Sequence, residues 1–289
     1  MINIIKAIRL HHWIKNLLVF LPFIAANQSF SVSVFQKLFF GFLSFSLCAS
    51  AGYIINDILD LKNDRKHITK KHRPLVSGKI SIKNGWLIAA VLIFFSFFIA
   101  LKIENNYFVL FLIFYFILSL SYSLFFKKII LVDCIALTIL YSVRIFAGGQ
   151  IVNIFPSFWF ITFSIFIFLS LAFLKRYVEI PNTKNKQIIS GRDYYSSDKL
   201  LVKILGINSG YISVLILALY LNSDIIIILY QNPKWMWGIV ISFLFWINWI
   251  WLKAHRNLAN DDPVIFIIKD KASILIFVLL TIFFILARY

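Results

Sequence analysis

Acidic residues are scarce in this 289-residue chain: 12 Asp and Glu stand against 29 Lys and Arg, a formal net charge of +17. Charged residues of both signs make up only 14% of the sequence, where a water-soluble domain carries about a quarter. That shortage leaves too little polar surface to clothe a soluble globule. Cysteine is nearly missing as well. Cys48 and Cys134 both lie inside apolar runs without ligand spacing, which excludes a disulfide framework and a thiolate metal centre. The five histidines show no ligand spacing either, and the adjacent His11 and His12 point apart on an α-helix, so no role follows for them.

What is abundant is hydrocarbon. The sequence is 61% hydrophobic and 18% aromatic, with mean hydropathy +0.87, and Phe and Ile dominate. Surface of this kind needs lipid as its solvent. Apolar runs cover 13–29, 34–56, 85–101, 106–126, 129–149, 155–174, 204–230, 235–252 and 272–289. Each approaches the ~20 residues of a spanning helix. The first is the weakest, with Lys15 and Asn16 at its start and Pro22 within it. The runs are too long for barrel strands, and only helices or closed barrels satisfy the backbone in lipid. The expectation is an all-α polytopic membrane bundle of about nine transmembrane helices, with residues 1–289 forming a single domain.

The basic residues orient it. With the N-terminus inside and the spans alternating, 24 of the 29 Lys and Arg fall on the inner side. By the positive-inside bias, the N-terminus and the charged loops face the cytoplasm of a cell (inner) membrane. A basic excess also occurs in nucleic-acid binders, but the hydropathy argues against nucleic acid as a partner. Membrane lipid and anionic substrates remain.

The clearest chemical signal is Asn56-Asp57-Ile-Leu-Asp60-Leu-Lys-Asn-Asp64-Arg65, where the second run leaves the membrane. On a helix, i, i+3 and i+7 share a face, so Asp57, Asp60 and Asp64 form a carboxylate stripe edged by Asn56. Carboxylates this close repel each other, and a divalent cation resolves the conflict. Mg²⁺ suits such oxygen ligands and bridges carboxylates to substrate phosphates. Lys70, Lys71, Arg73 and Pro74 follow, then Ser77-Gly78, placing cations for phosphate beside acids for metal. The plainer alternative is a solvated helix end, its acids paired with Lys62, Arg65 and Lys66.

Asn56-Asp57-x-x-Asp60-x-x-x-Asp64-Arg65 followed by Lys71-x-Arg73-Pro74-x-x-x-Gly78 resembles the first aspartate motif of the UbiA superfamily of polyprenyl transferases. The resemblance implies a nine-helix fold and a Mg²⁺-bound diphosphate at Asp57, Asp60 and Asp64. Most members carry a second aspartate motif after the sixth span. Here that place reads Phe173-Leu174-Lys175-Arg176-Tyr177-Val178-Glu179, one acid with two cations. This departure resembles the decaprenyl-phosphate phosphoribosyltransferase branch, as do Lys6-Ala-Ile-Arg9 with Trp13-Ile-Lys15-Asn16, and Tyr141-Ser-Val-Arg144-Ile-Phe-Ala-Gly148-Gly149. The branch implies transfer of phosphoribosyl from phosphoribosyl pyrophosphate to a polyprenyl phosphate. Asn56, Lys15, Arg65, Lys71, Arg73, Tyr141, Arg144, Lys175, Arg176 and Glu179 are then substrate-binding candidates. The alternative within the superfamily is prenyl transfer from a polyprenyl diphosphate to an aromatic or other small acceptor. A transporter is the remote alternative; it would place polar sites near the midplane on broken helices, whereas these acids cluster at one face.

Other residues admit two readings. Arg144 lies within a span and shares a face with Asp133 eleven residues earlier, so it either binds phosphate or holds a structural partner. Lys175 and Glu179 have i,i+4 spacing, so that segment either anchors the helix end or binds phosphate. Gly191 to Tyr195 lie in a loop placed to cover a donor. Asp261-Asp262-Pro263 reads as a helix start, or else with Asp270 as a second acidic cluster.

Overall fold

The computed structural model describes residues 2–26, 31–65, 70–181, 192–223, 226, 229–259 and 262–288, and among them every regular element is helical. The helices are α1 (Ile2–Ile8), a 3₁₀ helix (Leu10–Phe20), α2 (Leu21–Ala25), α3 (Val32–Leu59) and α4 (Leu61–Asp64). Then follow α5 (Ile82–Leu101), α6 (Asn106–Leu124), α7 (Val132–Ile151) and α8 (Phe158–Glu179). The last four are α9 (Lys199–Tyr220), α10 (Met236–His255), α11 (Pro263–Lys269) and α12 (Lys271–Arg288). Eight helices, α3, α5 to α10 and α12, are long and apolar enough to cross a membrane. The first expected span is the shorter apolar segment Leu10–Ala25, which changes from 3₁₀ to α geometry beside Pro22 at the start of α2. Proline fits there because a first helical turn needs no N–H from it.

Helix starts follow capping chemistry. The side chains of Ser81, Asn105 and Ser157 accept from the backbone N–H three residues on, opening α5, α6 and α8. Asp262 accepts from the N–H groups of Val264 and Ile265 and opens α11 ahead of Pro263. This is the helix-start reading of that segment; its neighbour Asp261 lies outside the described residues. Each cap satisfies donors that a helix end leaves over.

The chain divides into two compact units: Met1–Ala136 with Val143–Pro156 and Ser190–Arg192, and Leu137–Ser142 with Ser157–Ile189 and Asp193–Tyr289. In the first unit α3 is the hub, packed against α5, α6, α1 and the 3₁₀ helix. Ser44 and Ser96 lock α3 to α5 reciprocally, each hydroxyl donating 2.8 Å to the other's carbonyl. Small residues and hydroxyls between helices are the expected adhesive where lipid competes for apolar contact. The 3₁₀ helix comes so close to α7 that a Cβ on Gly148 would lie 2.0 Å from the Val19 carbonyl oxygen. With 28 residues α3 is about 42 Å long, more than the ~30 Å hydrocarbon core. Asn56 and Asp57 lie in its last turn.

In the second unit α8 packs on α9, and α10 on α9 and α12. Ser170 on α8 donates to the Gly206 carbonyl (2.7 Å) and accepts from Trp251 Nε1 (3.2 Å), tying three helices at one hydroxyl. Asp270 caps α12, accepting from the Ser273 N–H and hydroxyl (2.9 Å each) and from Trp249 Nε1 (2.8 Å). Burial raises the Asp270 pKa, and these donors with Lys253 outweigh it and hold the carboxyl below its usual value.

Candidate functional site

The aspartate segment is not one continuous helix. α3 ends at Leu59, Asp60 takes a non-helical conformation (φ −94°, ψ 6°), and α4 restarts at Leu61. The stripe expected from i, i+3, i+7 spacing therefore divides. Asp57 and Asp64 are buried and face one cation: Arg73 Nη1 lies 3.0 Å from Asp57 Oδ1 and 2.6 Å from Asp64 Oδ2. Arg9 Nη2 approaches Asp57 Oδ1 at 2.5 Å. Asp60 belongs to a separate pair, with Lys127 Nζ 2.6 Å from both of its oxygens and 3.5 Å from Asn56 Oδ1. Among the described residues the cations are Arg9, Arg73 and Lys127, while the adjacent Lys62 and Arg65 are exposed; Lys66 lies outside the described residues.

A tight turn delivers Arg73. Ser77 N–H donates to the Arg73 carbonyl and Ile80 N–H to the Pro74 carbonyl, and the chain reverses at Gly78, whose φ of 76° suits only glycine without strain. Leu75 and Ile80 then bury in the core cluster with Ile54, Ile55 and Ala89. Gly85 makes room for this, since a Cβ there would meet Leu75 at 2.7 Å and Ile58 at 3.1 Å. The Pro74-x-x-x-Gly78 spacing is thus a loop staple that aims one guanidinium at two carboxylates. Lys71 and Arg65 are exposed at the same end of the unit.

Among the described residues no three His, Cys, Asp or Glu side chains gather as a ready-made metal cage. The donor chemistry still fits Mg²⁺. It prefers hard oxygens and commonly takes one or two carboxylates plus substrate phosphates. Asp57 and Asp64 supply two carboxylates converging on one point, and that point is held by a positive nitrogen. Asp60 and Asn56 are further oxygen donors beside it in the chain.

Deeper in the first unit, Arg144 is buried on α7. Its Nε donates to Asn16 Oδ1 (2.7 Å) and its Nη2 to the Tyr115 hydroxyl (2.9 Å), and the guanidinium carbon lies 4.6 Å from the Tyr115 ring centroid. Asn16 in turn donates to Ser46 on α3 (3.0 Å). Asp133, expected on the same face, accepts from the Cys134 N–H and lies 3.8 Å from Arg192, which also reaches the Tyr122 hydroxyl. Lys15 lies on the 3₁₀ helix beside Asn16. Of the loop expected to cover a donor, Gly191 lies outside the described residues.

In the second unit Tyr141 stacks on Phe168, ring centroids 5.2 Å apart. Arg176 is fully buried near the end of α8, paired with Glu179 and 5.7 Å from the Tyr194 ring centroid. Lys175 beside it is half-buried. Glu179 pairs with Arg176 at i,i+3 rather than with Lys175 at the expected i,i+4 spacing. Sequence reasoning missed Lys127, Tyr115 and Asn16 as partners. The one available signal was that an intramembrane charge requires a partner, without saying which.

The sequence matches the UbiA prenyltransferase family over residues 17–269, and the chain belongs to that family. It is 35% identical to an uncharacterized protein of Sinorhizobium fredii over 286 residues, 98% of this chain and 55% of that one. It is 33% identical over 182 residues to the decaprenyl-phosphate phosphoribosyltransferase of Mycobacterium tuberculosis, 62% of this chain and 60% of that one. The chain thus spans little more than half the length of these relatives. In three dimensions it resembles a UbiA homolog from Archaeoglobus fulgidus bound to DMAPP and Mg²⁺, with TM-score 0.73, 18% identity and coverage of 98% and 99%. The all-helical membrane fold expected from the apolar runs is the fold of that family.

Proposed function

We propose that the chain is a Mg²⁺-dependent membrane transferase that moves phosphoribosyl from phosphoribosyl pyrophosphate to a polyprenyl phosphate, working as one domain with its N-terminus and site at the cytoplasmic face of the inner membrane. The observation that carries the reading is the convergence of Asp57 and Asp64 on a single Arg73 nitrogen at the C-terminal end of α3. Two carboxylates and a cation at one point are what a metal–diphosphate pair needs from a protein. Mg²⁺, when bound, would neutralise charge on the departing pyrophosphate. Arg73, Arg9 and Lys127 hold phosphate oxygens, and Asn56 and Asp60 orient the group from its flank.

The branch rests on the end of α8. Where a second set of carboxylates would serve a second metal, this chain has Lys175 and a buried Arg176. A donor with a 5-phosphate in addition to its pyrophosphate asks for cations there. The likeness to the Mycobacterium tuberculosis phosphoribosyltransferase supports the same reading. A lipid phosphate oxygen attacks the anomeric carbon, the bond to pyrophosphate breaks, and no strong general base is required because the nucleophile is already anionic. Prenyl transfer is the second reading, favoured by the likeness to a homolog bound to DMAPP and Mg²⁺. The test is to incubate purified protein with Mg²⁺, polyprenyl phosphate and phosphoribosyl pyrophosphate, and weigh the lipid by mass spectrometry. A phosphoribosylated lipid is expected. Prenylation of an aromatic acid from geranyl diphosphate, with phosphoribosyl pyrophosphate untouched, would reject the branch.

A further inference from the structure

An eleven-residue 3₁₀ helix is unusual, since such runs rarely exceed three or four residues and longer ones mark function or strain. With three residues per turn, side chains at i and i+3 eclipse, so Leu10–Phe20 presents three straight rows where an α-helix would spiral them. The rows differ in chemistry. Trp13, Asn16 and Val19 dock: Trp13 Nε1 donates to Ser50 (2.9 Å), Asn16 to Ser46, and Val19 is fully buried against Gly148. Ile14 and Leu17 are exposed and apolar, as lipid contact requires. The third row is polar at its start. It runs His12, Lys15, Leu18, and it is preceded by Arg9, the residue that turns into the helix at φ 56° and reaches Asp57.

This row is continuous with the candidate site. Tyr53 on α3 takes the Arg9 guanidinium 5.1 Å from its ring centroid and the His12 ring at 5.1 Å. At ~2 Å rise per residue, Lys15 lies about 12 Å along the axis from Arg9. Arg9, His12 and Lys15 therefore follow one another away from the carboxylates, with the exposed apolar row of Ile14 and Leu17 alongside.

We infer that this 3₁₀ helix is the cradle for the acceptor lipid: Lys15 and His12 hold the phosphate of a prenyl monophosphate, beyond the Arg9 that serves the donor, while Ile14 and Leu17 carry the start of its tail. A single anionic head on an apolar chain is the ligand that complements a lysine and an imidazole edged by an apolar row. Eclipsed stacking keeps the two rows side by side along the whole helix. The inference rests on the transferase reading, since it assigns that reaction's acceptor.

The experiment measures binding of farnesyl phosphate to the purified full chain, with no donor and no metal present. Wild type should bind it, and farnesol only weakly. Lys15→Gln with His12→Gln should weaken farnesyl phosphate about tenfold to a hundredfold, the worth of a charged hydrogen bond. Farnesol should be unaffected, and Lys15→Arg should restore binding. A diazirine-bearing prenyl phosphate should label Ile14 and Leu17 in wild type, a readout that needs no variant to fold. Unchanged affinity in the double variant, labelling elsewhere, no binding by wild type, or equal competition by phosphatidate vesicles or inorganic phosphate would each overturn the cradle. Binding of phosphoribosyl pyrophosphate with Mg²⁺ is measured in parallel. If it persists while the cradle fails, the transferase reading stands; if wild type takes geranyl diphosphate and ignores phosphoribosyl pyrophosphate, that reading falls by itself.

Discussion

Replacing Arg73 with Gln removes the cation on which two buried carboxylates converge. Asp57 keeps Arg9 at 2.5 Å, but Asp64, whose side chain is 7% exposed, loses its ion-pair partner. Removing one partner of a buried pair commonly costs about 3–5 kcal/mol. The Arg73 side chain is 26% exposed, so solvent softens the loss and a value near ~3 kcal/mol is expected. The unfolding midpoint in detergent, followed by tryptophan fluorescence, should fall by several degrees. Mg²⁺ should then act differently on the two proteins. In the variant a divalent ion fills the vacated convergence point, and at a hundred times its Kd it returns about 2.7 kcal/mol, close to the deficit. In wild type the same ion must first displace Arg73, so its stabilisation is smaller. NaCl matched for ionic strength controls for screening. Equal Mg²⁺ shifts in the two proteins, or an Arg73→Gln midpoint unchanged from wild type, would refute the reasoning that one point serves arginine and metal alternately.

Four further outcomes are expected. Asp270→Asn should lower stability at neutral pH through loss of the α12 cap. Because the folded carboxyl titrates below its usual value, the wild-type advantage is present above the unfolded pKa of ~3.9 and disappears as pH falls through the folded value, which a midpoint series from pH 6 to 3 would show. Gly148→Ala should disrupt the first unit, since its Cβ would lie 2.0 Å from backbone; protease accessibility of residues 10–20 should rise. Lys127→Gln should slow lipid product formation by about 10²–10³, the scale of a lost electrostatic stabiliser, with the fold intact by circular dichroism. Lys175→Gln with Arg176→Gln should weaken phosphoribosyl pyrophosphate binding in calorimetry far more than binding of farnesyl phosphate.

Much of this was legible in the sequence because bilayer thickness is a ruler. The runs at 34–56, 85–101 and 106–126 became α3, α5 and α6 because length and hydropathy leave no alternative in lipid. The conformation at residues 10–20 was not legible. A weakly apolar stretch with Lys15, Asn16 and Pro22 carries no periodicity that separates 3₁₀ from α, and the period-3 rows emerge only once Trp13 and Asn16 find Ser50 and Ser46. The aspartates were legible as a motif, but not the break at Asp60 that separates one carboxylate from the other two. Arg73 stood in the motif itself, but two other counter-ions were hidden because they arise from tertiary packing: Lys127 lies 67 residues from Asp60 in sequence, and Arg9 lies 48 residues from Asp57. Spacing rules along one helix do not reach that far.

The Arg144 cluster also bears on how the protein is made. Inserting an arginine near the middle of a spanning helix costs roughly 2.5–3.5 kcal/mol even in the forgiving setting of a translocon. Asn16 and Tyr115, two groups that receive hydrogen bonds from it, both precede it in the chain. Synthesis therefore delivers these two acceptors into the bilayer before the charge emerges from the ribosome, and α7 can enter against neighbours already waiting. The order of the spans along the gene is, at this position, an assembly instruction: α7 placed first in the chain would meet bare lipid.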